Sequence, residues 1–534
     1  MSEGNLSRRD LLRGGCDVSG LLGLSALLDR KTALGVSYLE AAQTAPGAAP
    51  DVYRSIGVKP LINARGTFTI ISGSLMLPEV RAAMDAASRH YVHLDELTEA
   101  IGARLAALTE AEWGLVTSGC SAALTHATAA CIAGGNPDLH IRIPNLAGFA
   151  RDEVIIPRHS RNVYDAAVRA VGVRVIEVET AAELESALGP RTAMIYIMAS
   201  PRVDESPLNL KAIAQIAGSK AVPILVDAAA EILTIPNVHL QSGATLVAYS
   251  GGKCIRGPQT AGLLLGRKDL VRAAWVHSAP HHGPGRALKV GKEEAIGMLT
   301  AVEMWTKRDH DAEWKRWAAM LDHISQRVSK IDGVTTSVSQ PTGLSNRTPS
   351  LRVLWNPERS GLTGDDVSRT LLDTDPRIAM SSTRSGNLTG VSVTPYMMSP
   401  GDENVVADRL YSLLATRPVS RPAGAPAPPV TDLSGRWDVR IEYAAGVSTH
   451  ALYLRQRGNE IDGSHQGEFI TRDVAGTIEG DAVRLRSAFG EEHGDAISFV
   501  FTGKATTAQM AGALDMGEYL AAKWSAKRHD YRRG

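Results

Sequence analysis

Three short segments of the chain carry residues that can do covalent chemistry together. In TSGCSAAL (117–124) a glycine sits between small polar residues, where the apolar run GLVTSG (114–119) gives way to helical text. A helix that begins at a strand's end leaves its first backbone N–H groups without partners, and neighbouring hydroxyls complete a cradle for an anion. ILVDAAAE closes another apolar run with Asp227, so a carboxylate stands at a strand's end. Buried there, it needs a cation or hydrogen-bond donors, because an unpaired buried carboxylate is costly. YSGGKCIRGPQTAG (249–262) places Lys253 behind two glycines and ahead of a Gly-Pro pair, with one further apolar run, ATLVAYS, separating it from Asp227. Two neighbouring strand ends then present a carboxylate and an amine to one crevice, the edge at which open parallel sheets bind ligands. Taken singly, each segment also has a plain structural reading: Ser118 as a helix cap, Asp227 as a turn cap, Lys253 as a surface turn.

Taken together, the three meet the requirements of pyridoxal phosphate. The loop at Ser118, Gly119 and Cys120 holds the phosphate, Asp227 keeps the pyridine nitrogen protonated, and Lys253 supplies the amine that bonds the aldehyde. The stretch from about Val52 to Leu414 resembles the fold type I pyridoxal-phosphate enzymes, and within them the group around selenocysteine synthase and D-glucosaminate-6-phosphate ammonia-lyase. The text that carries the resemblance is INARGT (62–67), YVHLDEL (91–97), TSGCSAAL, RNVYDAAVRAVG (161–172), VDAAAE (226–231), SGGKCIRGPQTAGLLLGRKDL (250–270), GRALKVGKEE (285–294) and VTPYMMSPGDE (393–403).

The resemblance implies roles position by position. Lys253 matches the Schiff-base lysine and Asp227 the residue facing the pyridine nitrogen; Ser118, Gly119 and Cys120 match the phosphate turn. Ser250 is expected as a second phosphate hydroxyl, and Gln259 near the cofactor's edge or a subunit boundary. Arg65 and Arg286 are expected to meet the anionic end of a substrate. His159 is expected over the ring face, although Ser160 occupies the place directly before the Arg161-Asn162 pair. Fold type I enzymes build their pockets across a two-fold interface, which implies a homodimer or larger assembly.

At such a site Lys253 takes the Cα proton of an amino acid. Loss of a β-hydroxyl then leads to a 2-keto acid and ammonia, an ammonia-lyase reaction on a hydroxy-amino acid or amino-sugar acid. The same residues serve a racemase or an aminotransferase. A selenium transferase acting on aminoacyl-tRNA, a non-catalytic binding module, and a Cys254 nucleophile activated by Lys253 are the alternatives outside that set.

The elements that must position these residues are legible as text. Short continuous apolar runs, EVIIP (153–157), VRVIEV (173–178), AMIYIMA (193–199), VPILVDAAA (222–230), ATLVAYSGG (244–252) and AGLLLG (261–266), alternate with helical patterns. Runs apolar on both faces suit mostly parallel strands covered by helices, a doubly wound α/β sheet. Leu97, Ile101, Leu105 and Leu108 fall on one helical face. The expected organisation is a leader (1–48), a large cofactor-binding domain (49–310), a small α+β subdomain (311–415), a Pro/Ala-rich linker (416–431) and a small antiparallel β-sandwich or barrel (432–534). In the last of these, Asp438, Glu442, Glu460 and Asp462 read as a solvated face rather than a metal site.

Bulk properties narrow the partners. Lysine plus arginine equals aspartate plus glutamate, 57 each, so there is no basic surplus to grip nucleic acid. The four cysteines, Cys16, Cys120, Cys131 and Cys254, form no CxxC pair, and no metal is expected. SRRDLLRGG, with Arg8 and Arg9 ahead of Leu11 and Leu12, then a weak apolar stretch at 20–28 and small residues toward 49, resembles a twin-arginine export signal. Its partners would be the export machinery and its destination the periplasm. The apolar stretch falls short of the ~20 residues that span a bilayer, so no permanent anchor is expected.

Overall fold

The computed structural model describes residues 51–416, 426–490 and 496–531. The expected leader and most of the expected linker lie outside the described residues. Residues 51–61 belong to a short unit of their own whose one helical turn is Arg54–Ile56. All that follows concerns the second unit, from Ile62 onward.

Its largest sheet has seven strands: β1 (Trp113–Thr117), β2 (Glu153–Pro157), β3 (Arg174–Val178), β4 (Thr192–Met198), β5 (Ile224–Asp227), β6 (Leu246–Ser250) and β7 (Gly262–Gly266), in the order β1-β7-β6-β5-β4-β2-β3. β2 to β6 run parallel to their neighbours in this set, whereas β7 is antiparallel to both β1 and β6. Every residue of β1, β2, β5 and β7 is buried, as runs apolar on both faces demand; only the edge strand β3 is largely open. Alternation sends successive side chains to opposite faces. Ile195 and Ile197 of β4 join one core, and Met194 and Tyr196 join the other.

Two helices seat the sheet's working edge. α1 (Leu94–Thr109) buries Ile101 and Leu105, with Leu97 and Leu108 packed at the border of the same core. It comes close because glycines stand at the contacts: a Cβ on Gly114 would lie 2.6 Å from that of Leu105. Full burial of a leucine side chain is worth about 1.5–3 kcal/mol, so this face alone fixes the helix. α2 (Gly119–Ala133) follows β1 directly and is buried almost throughout.

Beyond α3 (Lys292–Trp305) and α4 (His310–Val328) lies the smaller α+β part. Its strands β8 (Val334–Ser339), β9 (Ser350–Trp355), β10 (Ser381–Ser385) and β11 (Leu388–Val393) form an antiparallel sheet in the order β10-β11-β9-β8. Its core includes Leu321, Ile324, Val353, Leu371 and Leu410.

The tail is a closed barrel of eight strands, β12 (Gly435–Tyr443) to β19 (Ala521–Arg528). Each strand pairs antiparallel with the next, and the first pairs with the last through Trp437 and Arg528. Closure removes both sheet edges, so of the two expected forms the barrel is the one adopted. Trp437 is fully buried inside, its indole N–H donating to the Leu433 carbonyl at 2.8 Å. Three of the four expected solvated carboxylates are tied to basic neighbours, Asp438 to His529 at 2.7 Å, Glu442 to Arg440 at 3.1 Å and Asp462 to Arg455, while Glu460 is exposed. No described helix is long and apolar enough to cross a membrane.

Candidate active site

The ends of β1, β5 and β6 converge on one edge of the sheet. β1 ends at Thr117, and Ser118 takes the cap position of α2 without using its side chain to cap it. The hydroxyl and the helix's first N–H groups therefore remain available to an anion. Gly119 holds φ = +81°, a left-handed conformation open to glycine. Gly262 of β7 presses on the same turn: a Cβ there would overlap the Gly119 carbonyl carbon and stand 2.6 Å from the Cys120 nitrogen. Ser250 pairs with Gly262 across β6 and β7, which sets it beside the turn.

Asp227 is 4% exposed. Its Oδ1 accepts from the Ala229 N–H at 3.0 Å and lies 3.5 Å from the Cys120 thiol; its Oδ2 accepts from the Tyr196 hydroxyl at 2.9 Å. Tyr196 in turn accepts from the Asn162 side-chain amide at 3.0 Å. Burial pushes the Asp227 carboxyl above the usual carboxylate range, against the pull of Ala229, Tyr196 and the Lys253 ammonium. The Tyr196 hydroxyl and the Cys120 thiol are both raised well above their ordinary values, by burial first and then by the Asp227 charge. Both therefore stay protonated and able to donate. Cys120 thus contributes its backbone to the turn while its side chain faces the carboxylate.

The glycines around Lys253 have a packing cause. Gly251 N–H bonds to Ala261 O at 2.8 Å, Gly257 N–H to Gly251 O at 2.8 Å and Arg256 N–H to Lys253 O at 3.0 Å, so the loop is closed by its own backbone. Gly73 and Gly252 leave the space that the Gln259 side chain occupies, which places Gln259 at the mouth beside Lys253. Desolvation lifts the Cys254 thiol to about 12, and it donates to Glu231 O at 3.1 Å, both of which disfavour the thiolate a nucleophile needs.

Arg65 stands where INARGT meets VTPYMM. Thr67 N–H and Oγ1 contact the Tyr396 hydroxyl at 3.2 and 2.9 Å, and the Arg65 guanidinium lies over the Phe68 ring at 4.2 Å. Its Nε is buried with no hydrogen-bond partner, as suits a group that awaits an anion. His159 is at the end of β2, with β4 between that strand and β5. Both its ring nitrogens are engaged, with Ser160 Oγ and with Leu208 O, each at 2.9 Å. Arg286 is not gathered with the others: it is exposed, on a loop whose Gly285 abuts His126 and His277. No described hydrogen bond or ion pair ties its side chain to the site.

Sequence reasoning missed Tyr196, Asn162 and Tyr396. Tyr196 had a readable signal, since a lone tyrosine in the otherwise apolar AMIYIM must find a partner for its hydroxyl once buried. Among the described residues no group of three or more histidine, cysteine or acidic side chains is placed to hold a metal ion.

These features fit pyridoxal phosphate. The uncapped start of α2 suits its phosphate, and Lys253 suits its aldehyde. The raised Asp227 carboxyl suits its ring nitrogen, because a facing N–H cation would stabilise the ionised form.

The Aminotransferase class-V family matches residues 155–349. The chain is 31% identical over 374 residues to the D-glucosaminate-6-phosphate ammonia lyase of Salmonella typhimurium, covering 68% of this chain and 98% of that one. It is 30% identical over 375 residues to a 5'-C-glycyluridine monooxygenase-decarboxylase from Streptomyces sp, covering 68% and 92%. A solved structure of D-glucosaminate-6-phosphate ammonia-lyase superposes with a TM-score of 0.63 at 30% identity, over 69% of this chain and all of that one.

Proposed function

The chain belongs to the family of D-glucosaminate-6-phosphate ammonia lyase, pyridoxal-phosphate enzymes of fold type I, and from that premise we propose that it is an ammonia-lyase. Its substrate class is a hydroxy-amino acid or amino-sugar acid, and its products are a 2-keto acid and ammonia. The observation that carries this reading is the Asp227 carboxylate, held by Tyr196 and Ala229 at the end of β5, beside the β6 strand whose end leads into the Lys253 loop.

Bound at the start of α2, the cofactor supplies an electron sink that makes the Cα proton of an amino acid removable. The rest falls to the chain. The α2 N–H groups, Ser118 and Ser250 fix the phosphate. Tyr196 and the Ala229 N–H hold the Asp227 carboxylate in one orientation, and its charge would stabilise a protonated ring nitrogen there. Arg65, at the segment that Thr67 ties to Tyr396, is the cation proposed to meet the substrate carboxylate. Lys253 is the base for the Cα proton, and a positioned base gives ~10²–10⁴-fold in rate. The β-hydroxyl would leave as water by taking up the proton that Lys253 accepted from Cα, and one water from solvent would then be consumed in releasing ammonia and the keto acid.

The similarity to a monooxygenase-decarboxylase favours a second reading, in which the same site removes a carboxylate from Cα. A substrate panel that includes D-glucosaminate 6-phosphate separates the two. Equimolar ammonia and keto acid without oxygen uptake is the expected result. Carbon dioxide release with oxygen uptake would replace the lyase reading. Release of neither pair, with racemised or transaminated product, would move the activity to a racemase or an aminotransferase.

The reading extends to place and assembly. We propose export through the twin-arginine route as a homodimer, from Arg8 and Arg9 and from the family's two-fold pockets. Arg8→Lys with Arg9→Lys keeps the charge and changes only its geometry; it is expected to retain active enzyme inside the cell. Normal export of that variant removes the first proposal, and an active monomer in sedimentation removes the second.

A further inference from the structure

A cavity of about 860 Å³ lies behind the lysine loop. Cys254 forms part of its wall, but Lys253, Asp227 and Ser118 do not line it, so it is not the cofactor's own crevice. Four arginines line it, Arg256, Arg308, Arg316 and Arg347, against two carboxylates, Asp311 and Glu313. Glu313 is already spent: Arg308 grips it with Nε at 3.0 Å and Nη2 at 2.8 Å, while Arg308 Nη1 holds the Cys254 carbonyl at 3.0 Å. Among the described residues no ion pair joins Arg256, Arg316 or Arg347 to a carboxylate. Burial and the charges of Arg308 and Arg316 push the Arg256 guanidinium below its ordinary value. Arg316 and Arg347 are exposed at the cavity, so their guanidinium groups stand open to an anion that enters it.

Aromatic side chains line the cavity beside the arginines, Trp314 and Trp317 on the same helix, α4, as Arg316. Trp314 and Trp317 have ring centroids 6.2 Å apart, and Trp317 meets Tyr396 edge-on at 6.2 Å. Flat apolar faces beside a cationic floor suit a ring that carries a charged group. Tyr396 also borders the Arg65 segment, through Thr67, so the cavity and the active site share one wall.

We propose that this cavity is a second binding site, for a phosphorylated ring compound whose dianion meets the arginines and whose ring meets the tryptophans. Its occupant contacts the reverse side of the loop that bears Lys253, through Arg308 and the Cys254 carbonyl. The same chemistry belongs to a separate effector and to the distal end of an extended substrate.

The test uses the full-length holoenzyme reduced with borohydride, so that the cofactor cannot exchange. Glucose 6-phosphate and adenosine monophosphate are titrated, with glucose and inorganic phosphate as controls, and tryptophan fluorescence and calorimetry are read. At least one of the two phosphorylated probes is expected to bind and to quench fluorescence, and glucose is not. Arg316→Gln with Arg347→Gln is expected to weaken that probe at least ~10-fold. Trp317→Ala should weaken the ring compound and leave inorganic phosphate unchanged. With unreduced enzyme, competition against the amino acid substrate marks the occupant as a substrate's distal end, and any other pattern marks an effector. No binding of either probe, or binding that the double arginine variant leaves intact, overturns the proposal.

Discussion

At the residue scale the chemistry rests on how Asp227 is held. A carboxylate buried to 4% exposure survives because Ala229, Tyr196 and Cys120 surround it, and in the proposed mechanism its charge serves a protonated ring nitrogen. Asp227→Asn keeps the shape and removes the charge. The variant is expected to keep cofactor, trapped by borohydride on Lys253 and located by mass spectrometry, while kcat falls by at least ~100-fold, or ~2.7 kcal/mol of barrier. Tyr196→Phe deletes one donor to the same carboxylate and should cost less, about fivefold, because a net hydrogen bond is worth about 1 kcal/mol. Near-normal turnover in the asparagine variant would take Asp227 out of the mechanism. Lys253 and Asp227 were legible in the sequence because each sits in a local motif. Tyr196 and Asn162 reach Asp227 only through the sheet order, which places β4 beside β5, and text alone does not give that order.

At the element scale, the phosphate turn depends on a glycine from a distant strand. Gly262 lies in β7, yet its missing side chain is what lets α2 begin where it does. Gly262→Ala forces a Cβ into the backbone of Gly119 and Cys120. Such overpacking typically costs about 1–3 kcal/mol, and here it is expected to appear as faster loss of pyridoxal phosphate on gel filtration, with the secondary structure kept. Gly446→Ala, where a Cβ would meet nothing within 4 Å, is the control. Unchanged cofactor retention in Gly262→Ala would mean that the turn tolerates displacement. The apolar runs announced all seven sheet strands as buried, which the edge strand β3 is not, and left open the direction of β7, whose GLLLG reads the same either way. A run with no polar face carries no mark of orientation. The barrel's alternation was equally plain, while its closure depends on Trp437 meeting Arg528, a pairing between the two ends of the domain.

At the scale of the whole molecule, the buried histidines set a limit on acid tolerance. His126 and His277 are both fully buried, and burial lowers them from 6.5 to about 4 and about 3. In the barrel, His465 is also fully buried and lowered to about 3, chiefly by burial and then by the charges of His450 and Arg472. Each stays neutral in the folded chain at neutral pH. Between the unfolded value and the folded one, the unfolded chain binds the proton and the folded chain does not. Stability is therefore full above about pH 6.5 and falls as the pH drops toward the folded values, by roughly 1.4 kcal/mol per group for each pH unit. The melting temperature is thus expected to be flat from pH 8 to 7 and to decline steeply from 6.5 to 4.5. His126 makes the cleanest probe, because neither of its ring nitrogens has a hydrogen-bond partner in the chain. His126→Leu removes one titrating group without orphaning another, so its melting temperature should match the parent at pH 8 and exceed it at pH 5. A variant whose decline with acid runs parallel to the parent's would show that His126 takes up its proton without unfolding the chain, and the acid limit would then rest on His277 and the barrel.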